Sequence, residues 1–427
     1  MEKNESTVEG TAVSEDPVMQ ASLSNAQNKS SANDSSNETI RPFPQFHAPQ
    51  ADLDDLKRRI LATRWPEKEP VNDQSQGVPL ATMKALANYW ATEYDWRKIE
   101  AKLNVLPQFI TEIDGLDIHF IHVHSKHKNA RPIIVTHGWP GSILEQLKIV
   151  GPLTDPTAYS GRAEDAFDVV IPSMPGYGFS GKPGTTGWGP SHIANAWVTL
   201  MKRLGYEKFF AQGGDWGGLI TDVMAVQSPN NLLGMATNFP CTVPTEINNA
   251  AFAGAPAPSD LTAEEKKAYD QLVFSYKHVS YAFIMGSRPQ TLIGTADSPI
   301  GLATIFLDHD QPSLAMISRI FEGKAEGLTR DDVLDNITLT WLTNTAISGY
   351  RIYWENKYAF VTPLGVTVPV VVSAFPDELY QAPRSWAEKA YPNMIYYKKH
   401  NKGGHFAAWE QPELLVNDIR EGFRSLN

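Results

Sequence analysis

Phe209-Phe210-Ala211-Gln212-Gly213-Gly214-Asp215-Trp216-Gly217-Gly218-Leu219-Ile220 decides how this chain is read. The apolar run at 209–211 reads as a buried strand, and the apolar stretch that resumes at Leu219-Ile220 and continues through Val223-Met224-Ala225-Val226 reads as a helix. Between them, four glycines surround one carboxylate. A turn this tight strains the backbone of its central residue and makes the side chain stand clear of the sheet. A Cβ two residues away would collide with the turn, and glycine has none. The following helix points its positive end at the turn, which favours an anion there. Strand, tight turn and helix make up the repeating unit of an α/β fold with a mostly parallel, doubly wound sheet.

Working outward, Pro132-Ile133-Ile134-Val135-Thr136 is a near-continuous apolar strand, as a buried parallel sheet requires, and it ends in His137-Gly138-Trp139-Pro140-Gly141-Ser142. Further strands are expected at 167–172 and 234–239, with a helix at 193–204. Toward the N-terminus, helices are expected at 52–61, 80–94 and 95–103, the first with an acidic start and a basic end. Phe109–Ile113 and Leu116–Val123 read as a hairpin about Asp114-Gly115. From 245 to 345 strand-helix alternation gives way to helical stretches (264–285, 313–322, 332–348), read as a helical cap inserted over the carboxyl edge of the sheet. The sheet resumes at Thr367–Ala374, continues at 394–397, and the chain closes with a helix from Pro412. The expected organisation is a disordered polar tail (1–40), an N-terminal extension (41–130), a first core part (131–245), the cap (246–348) and a second core part (349–427).

A chain of 427 residues with 42% hydrophobic content can bury one large α/β core with insertions. A net charge of −11 argues against nucleic acid or an anionic membrane surface as partner. No stretch approaches the ~20 apolar residues of a membrane span, and no membrane anchor or leader is evident. The single cysteine, Cys241, excludes an internal disulfide, fits a reducing, cytoplasmic location, and reads as a small buried residue. A homodimer stays open. His119, His122, His124 and His127 crowd one segment, but no carboxylate or cysteine cluster joins them at a ligand spacing, so no metal is expected.

The chemistry comes from order along the chain. Asp215 is followed by a carboxylate in Phe375-Pro376-Asp377-Glu378-Leu379 and then by His405 in Gly403-Gly404-His405-Phe406. Nucleophile, acid and histidine in that order match the α/β-hydrolase triad, and Gly-x-Asp-x-Gly matches its nucleophile elbow with Asp in place of Ser. The substitution has a chemical meaning. A carboxylate attacks amides and esters poorly, but it displaces a leaving group from saturated carbon and leaves an alkyl ester to be hydrolysed. Oxyanion donors for that second step are expected from the N–H groups of Trp139 and Trp216, while His137 is assigned a structural role. Spacing alone leaves Asp377 and Glu378 as competing acids.

The segments 137–142, 213–217 and 403–410 resemble the epoxide hydrolases of the microsomal, juvenile-hormone and fungal type, over about 45–427. Thr63-Arg64-Trp65-Pro66, Asp95-Trp96-Arg97-Lys98 and Asp297–Ala303 belong to the same resemblance. It implies an α/β-hydrolase fold with a cap and an N-terminal extension, an apolar epoxide as substrate, a vicinal diol as product, and no cofactor. It further implies Asp215 as nucleophile, His405 as base, Glu378 as acid, and Tyr281 and Tyr353 as donors to the epoxide oxygen, with Tyr276 and Tyr350 as nearby alternatives. Two phenols suit the task, because an opening epoxide leaves as an alkoxide, and a tyrosine (pKa ~10) donates while still un-ionised at neutral pH. Two rivals remain: a haloalkane dehalogenase, which shares the Asp-Trp pair but leaves the tyrosines unexplained, and a catalytically silent scaffold that binds an apolar ligand.

Overall fold

The computed structural model describes residues 38–324 and 326–426. The tail expected at 1–40 therefore lies outside the described residues, apart from its last three. The sheet comprises β1 (Arg41–Pro42), β2 (Gln108–Ile113), β3 (Leu116–Val123), β4 (Arg131–Thr136), β5 (Phe167–Pro172), β6 (Phe209–Gly213), β7 (Leu232–Thr237), β8 (Val370–Ala374) and β9 (Met394–Lys399). Their spatial order is β1-β2-β3-β5-β4-β6-β7-β8-β9, antiparallel from β1 to β5 and parallel from there on. This is the expected α/β-hydrolase sheet. β4, β6 and β8 are buried on both faces over most of their length, which is why they read as apolar runs rather than alternations.

Before the sheet proper come α1 (Gln50–Leu61), α2 (Leu80–Thr92) and α3 (Arg97–Asn104). α4 (Leu147–Thr154), α5 (Pro190–Arg203) and α6 (Asp215–Gln227) link the central strands. α6 starts at Asp215 itself, so the elbow residue sits in the first turn of its helix. After β7 the chain leaves the sheet for α7 (Thr245–Phe252), α8 (Ala263–His278), α9 (Ser280–Ser287), α10 (Pro299–Leu307), α11 (Gln311–Phe321), α12 (Arg330–Thr343) and α13 (Ala346–Glu355). It then returns through β8, α14 (Arg384–Ala390), β9, the short α15 (Ala407–Glu410) and α16 (Pro412–Phe423).

Several boundaries differ from the sequence expectation. The stretch 264–285 is two helices that break at Val279, and 332–348 is two helices that break at Asn344, which takes the left-handed conformation (φ 50°) that asparagine tolerates at a helix end. α13 runs across the expected cap boundary at 348. β8 begins at Val370 rather than Thr367, because Pro369 has no N–H to give to a ladder. α10 was not expected, although its start is marked: Ser298 caps it by accepting the Gly301 N–H, and Pro299 follows as the first helical residue.

The N-terminal helices hold the inserted helices in place. Trp90 Nε1 donates to Thr338 (3.0 Å), and Tyr89 and Tyr94 donate to Asp331 and Asp335 (2.7 Å each) on α12. α12 in turn reaches the core, where Asn336 Nδ2 donates to the Pro140 carbonyl at 2.7 Å. α13 is tied down by Tyr177, whose hydroxyl donates to the Gly349 carbonyl at 2.8 Å. Among the described residues, no helix is long and apolar enough to cross a membrane.

Candidate active site

The elbow is built as its glycines require. Asp215 has φ 50°, a left-handed backbone that non-glycine residues seldom adopt. A Cβ on Gly217 would run into the Thr136 carbonyl on β4, and one on Gly213 would run into the Gly217 carbonyl, so the turn closes only with bare backbone at both positions. Gly138 does the same from the facing loop, where a Cβ would land on the Asp215 carboxylate. That close approach lets the Trp139 N–H donate to Asp215 Oδ1 at 2.7 Å.

His405 Nε2 lies 3.5 Å from Asp215 Oδ2 and His405 Nδ1 lies 2.5 Å from Glu378 Oε1; the His405 and Glu378 side chains are each 1% exposed. The 3.5 Å approach brings the two charges together but makes no hydrogen bond, so Nε2 is buried without a partner. Burial alone would lower the His405 pKa, but the carboxylates of Glu378 and Asp215 outweigh it and hold the pKa well above the ordinary histidine value. Asp215 moves the other way: burial opposes ionisation, and His405, His309 and the Trp216 N–H overcome it, leaving the pKa below the usual aspartate value. Of the two competing carboxylates it is Glu378 that meets the imidazole. Asp377 pairs its backbone with Gly404, and its exposed side chain makes no bond to His405.

The two tyrosines converge on the same place from the inserted helices. Tyr281, on α9, packs against the Trp139 ring with centroids 4.6 Å apart, and Tyr353, on α13, meets Trp216 edge to face at 4.7 Å. The two phenol rings are 6.2 Å apart. Burial pushes both hydroxyls well above the ordinary tyrosine pKa, and the charge of Asp215 adds to it in each case. Both therefore keep their protons at neutral pH. The alternatives point elsewhere: Tyr276 donates to Asn248, and Tyr350 donates to Thr295 at 3.1 Å. His137 accepts the Met174 N–H through Nε2 (3.1 Å) and serves the backbone, not the carboxylate.

Three further residues at the site were given no role by the sequence. His309 is buried, bonds Asp310 through Nδ1 at 2.8 Å, and lies 4.2 Å from the His405 ring. Glu410 accepts the N–H groups of Gly404 and Phe406, both at 3.0 Å, and so clamps the His405 loop from both sides. Glu145 is buried beside Asp215, with burial foremost pushing its pKa up to about 8. Sequence periodicity cannot mark such residues, because Glu145 and His309 come from a 3-10 turn and a loop, and Glu410 ends the four-residue α15. Among the described residues, the group whose atoms could jointly hold a metal ion is Asp215, His309 and His405, not the histidines of the hairpin. His119 there is satisfied by Ser173 and Gln108, each at 3.0 Å. A cavity of about 1020 Å³ reaches the site at His309 and Glu378, flanked by Phe274, Val279 and Leu314; Asp215 and the two tyrosines are not part of its wall.

Comparison with known proteins now decides the family. Residues 40–146 match the family described as "Epoxide hydrolase N terminus", and residues 131–290 match "alpha/beta hydrolase fold". A Stigmatella aurantiaca relative that carries the epoxide hydrolase name is 48% identical over 396 residues, covering 91% of this chain and 85% of its own. The chain belongs to the epoxide hydrolase family. Epoxide hydrolase 1 of Sus scrofa is 35% identical across 90% of this chain and 88% of its own. The crystal structure of the juvenile hormone epoxide hydrolase of the silkworm Bombyx mori superposes with a TM-score of 0.81 at 28% identity, covering 91% and 95% of the two chains. As an epoxide hydrolase the protein is a hydrolase acting on ether bonds, and the expected resemblance holds over nearly the whole of the described chain.

Proposed function

We propose that this epoxide hydrolase opens an apolar epoxide through a covalent ester on Asp215 and releases a vicinal diol. The observation that carries this reading is the buried Asp215 carboxylate with an imidazole on one side and two un-ionised phenols from the inserted helices packed on the flanking indoles of Trp139 and Trp216. In the first step an Asp215 oxygen forms a bond to an epoxide carbon, the carbon–oxygen bond of the ring breaks, and Tyr281 or Tyr353 gives its proton to the departing oxygen. Esterification removes the Asp215 charge, one of the two that keep His405 protonated, so the imidazolium gives its proton to the tyrosinate and becomes a free base. In the second step His405 takes a proton from water, whose oxygen attacks the Asp215 Cγ. The Trp139 and Trp216 N–H groups hold the oxyanion, each such donor contributing ~3 kcal/mol in comparable sites. Collapse breaks the acyl C–O bond, His405 protonates the diol oxygen, and the carboxylic acid returns a proton to His405, restoring the charged pair. The aromatic surroundings, Trp139, Trp216, Tyr281, Tyr353 and Phe306, suit an apolar body on the epoxide.

The test is His405→Gln. Mixed with styrene oxide, its intact mass should rise by the mass of one epoxide, and Asp215→Asn should show no rise. An unchanged mass in His405→Gln would overturn the covalent route.

A further inference from the structure

A second, much smaller cavity lies beside the Asp215 carboxylate. It has about 20 Å³ of room, and Glu145, Asp215, Asn238 and His405 contribute polar groups to its wall. A single water needs roughly 10–15 Å³ and two to four polar partners, so the cavity takes one. Neither Tyr281 nor Tyr353 lines it. The space for water and the phenols that face the epoxide are therefore separate.

Glu145 stands out among the groups that line this cavity. It comes from the 3-10 turn Ile143–Gln146, which Ser142 caps after the Trp139 loop. The chain passes beneath it as bare backbone, because a Cβ at Gly141 would fall on the Glu145 carboxyl group. Both hydrogen bonds Glu145 makes with the described residues go to Oε1, one from the Gly138 N–H (3.3 Å) and one from Gln146 Nε2 (2.9 Å). The ester route above needs only one partner for the attacking water, and that is His405 Nε2, which is buried and unpartnered.

We propose that Glu145 is the water-positioning residue: its carboxyl group accepts the second O–H of the water whose first O–H faces His405 Nε2, which leaves the oxygen lone pair toward the Asp215 Cγ. This inference rests on the covalent route. It assigns Glu145 to the second half-reaction and to no part of the first. Burial, reinforced by the Asp215 charge, pushes the Glu145 pKa up to about 8; in the ester that charge is gone, which favours the carboxylate whose free Oε2 accepts from the water.

Glu145→Gln tests it. The amide keeps one acceptor oxygen, which the Gly138 N–H already claims, and turns a donor toward the water. Hydrolysis of the ester should slow by about 10- to 100-fold, the effect of losing one hydrogen bond to the nucleophile. Alkylation should stay intact, so kcat and KM fall together, kcat/KM stays near the parent value, and the ester accumulates during turnover in the intact mass. Equal losses of kcat and kcat/KM with no accumulating ester, or turnover at the parent rate, would overturn the assignment. Glu145→Asp, with its carboxyl one methylene short, should show the same kcat–KM split in milder form and keeps the question open to measurement if the Gln variant does not fold. His405→Gln run alongside separates the two ideas. No ester in that variant removes the covalent route itself, whereas ester there with a normal Glu145→Gln removes only the role of Glu145.

Discussion

Replacing Glu378 by Gln should change the pH dependence of ester hydrolysis in a direction that simple inactivation would not. Glu378 Oε1 is 2.5 Å from His405 Nδ1, and both side chains are almost fully shielded from water. A unit charge ~4 Å from the imidazolium in a medium of effective dielectric ~20 stabilises it by about 4 kcal/mol, which raises the His405 pKa. The sign follows from which form is favoured. Glu378 favours charged His405, and the base must be neutral, so removing the carboxylate shifts the rising limb of hydrolysis to lower pH. The plateau should fall by about 10²- to 10⁴-fold, because the imidazolium that forms during water activation loses its partner and its fixed tautomer. The loss is therefore large at pH 8 and shrinks as the pH falls. Single-turnover stopped flow between pH 5 and 9, following tryptophan fluorescence as Trp139 and Trp216 respond to alkylation and release, resolves the two steps. A limb that stays at the parent pH, a loss uniform in pH, or the same profile from Asp377→Asn would refute the reasoning.

Two further outcomes follow from the same geometry. Tyr281→Phe and Tyr353→Phe should each slow alkylation by about 10- to 10³-fold, lowering kcat/KM without trapping ester, and the double variant should lose it entirely; a double variant with measurable diol formation in a product assay would remove the phenols from the reaction. Asp222 is buried, receives the Tyr391 hydroxyl on both carboxyl oxygens (3.1 and 3.0 Å), and has its pKa pushed up to about 7, chiefly by burial. The folded protein thus binds this proton more tightly than the unfolded chain does, so stability is fully present below about pH 4 and is lost as the pH rises to about 7, by roughly 4 kcal/mol. Asp222→Asn carries no such charge. Its Tm, measured by thermal unfolding, should exceed the parent Tm at pH 8 by more than at pH 5, and a gap independent of pH would contradict this.

The elbow is legible in the sequence because its physics is local. A turn that admits only glycines around one carboxylate is written in five consecutive residues, and the order of Asp215, an acid and His405 needs no geometry to be read. The sheet was legible for a similar reason: strands buried on both faces read as uninterrupted apolar runs. Helix breaks at Val279 and Asn344 were not, since helical periodicity continues across a break in axis direction. The choice of Glu378 over Asp377 needed three dimensions from first principles, because neighbouring residues on a loop differ only in which way the backbone turns them, and that is set by the pairing of Asp377 with Gly404. Glu145, His309 and Glu410 belong to no spacing rule. They meet Asp215 and His405 only where a turn after β4, the segment between α10 and α11, and the end of α15 converge, and that convergence depends on burial and packing between segments far apart in the chain. Local backbone chemistry determined the elbow with its exposed carboxylate and the sheet that carries it; long-range packing decided which carboxylates and imidazoles surround Asp215.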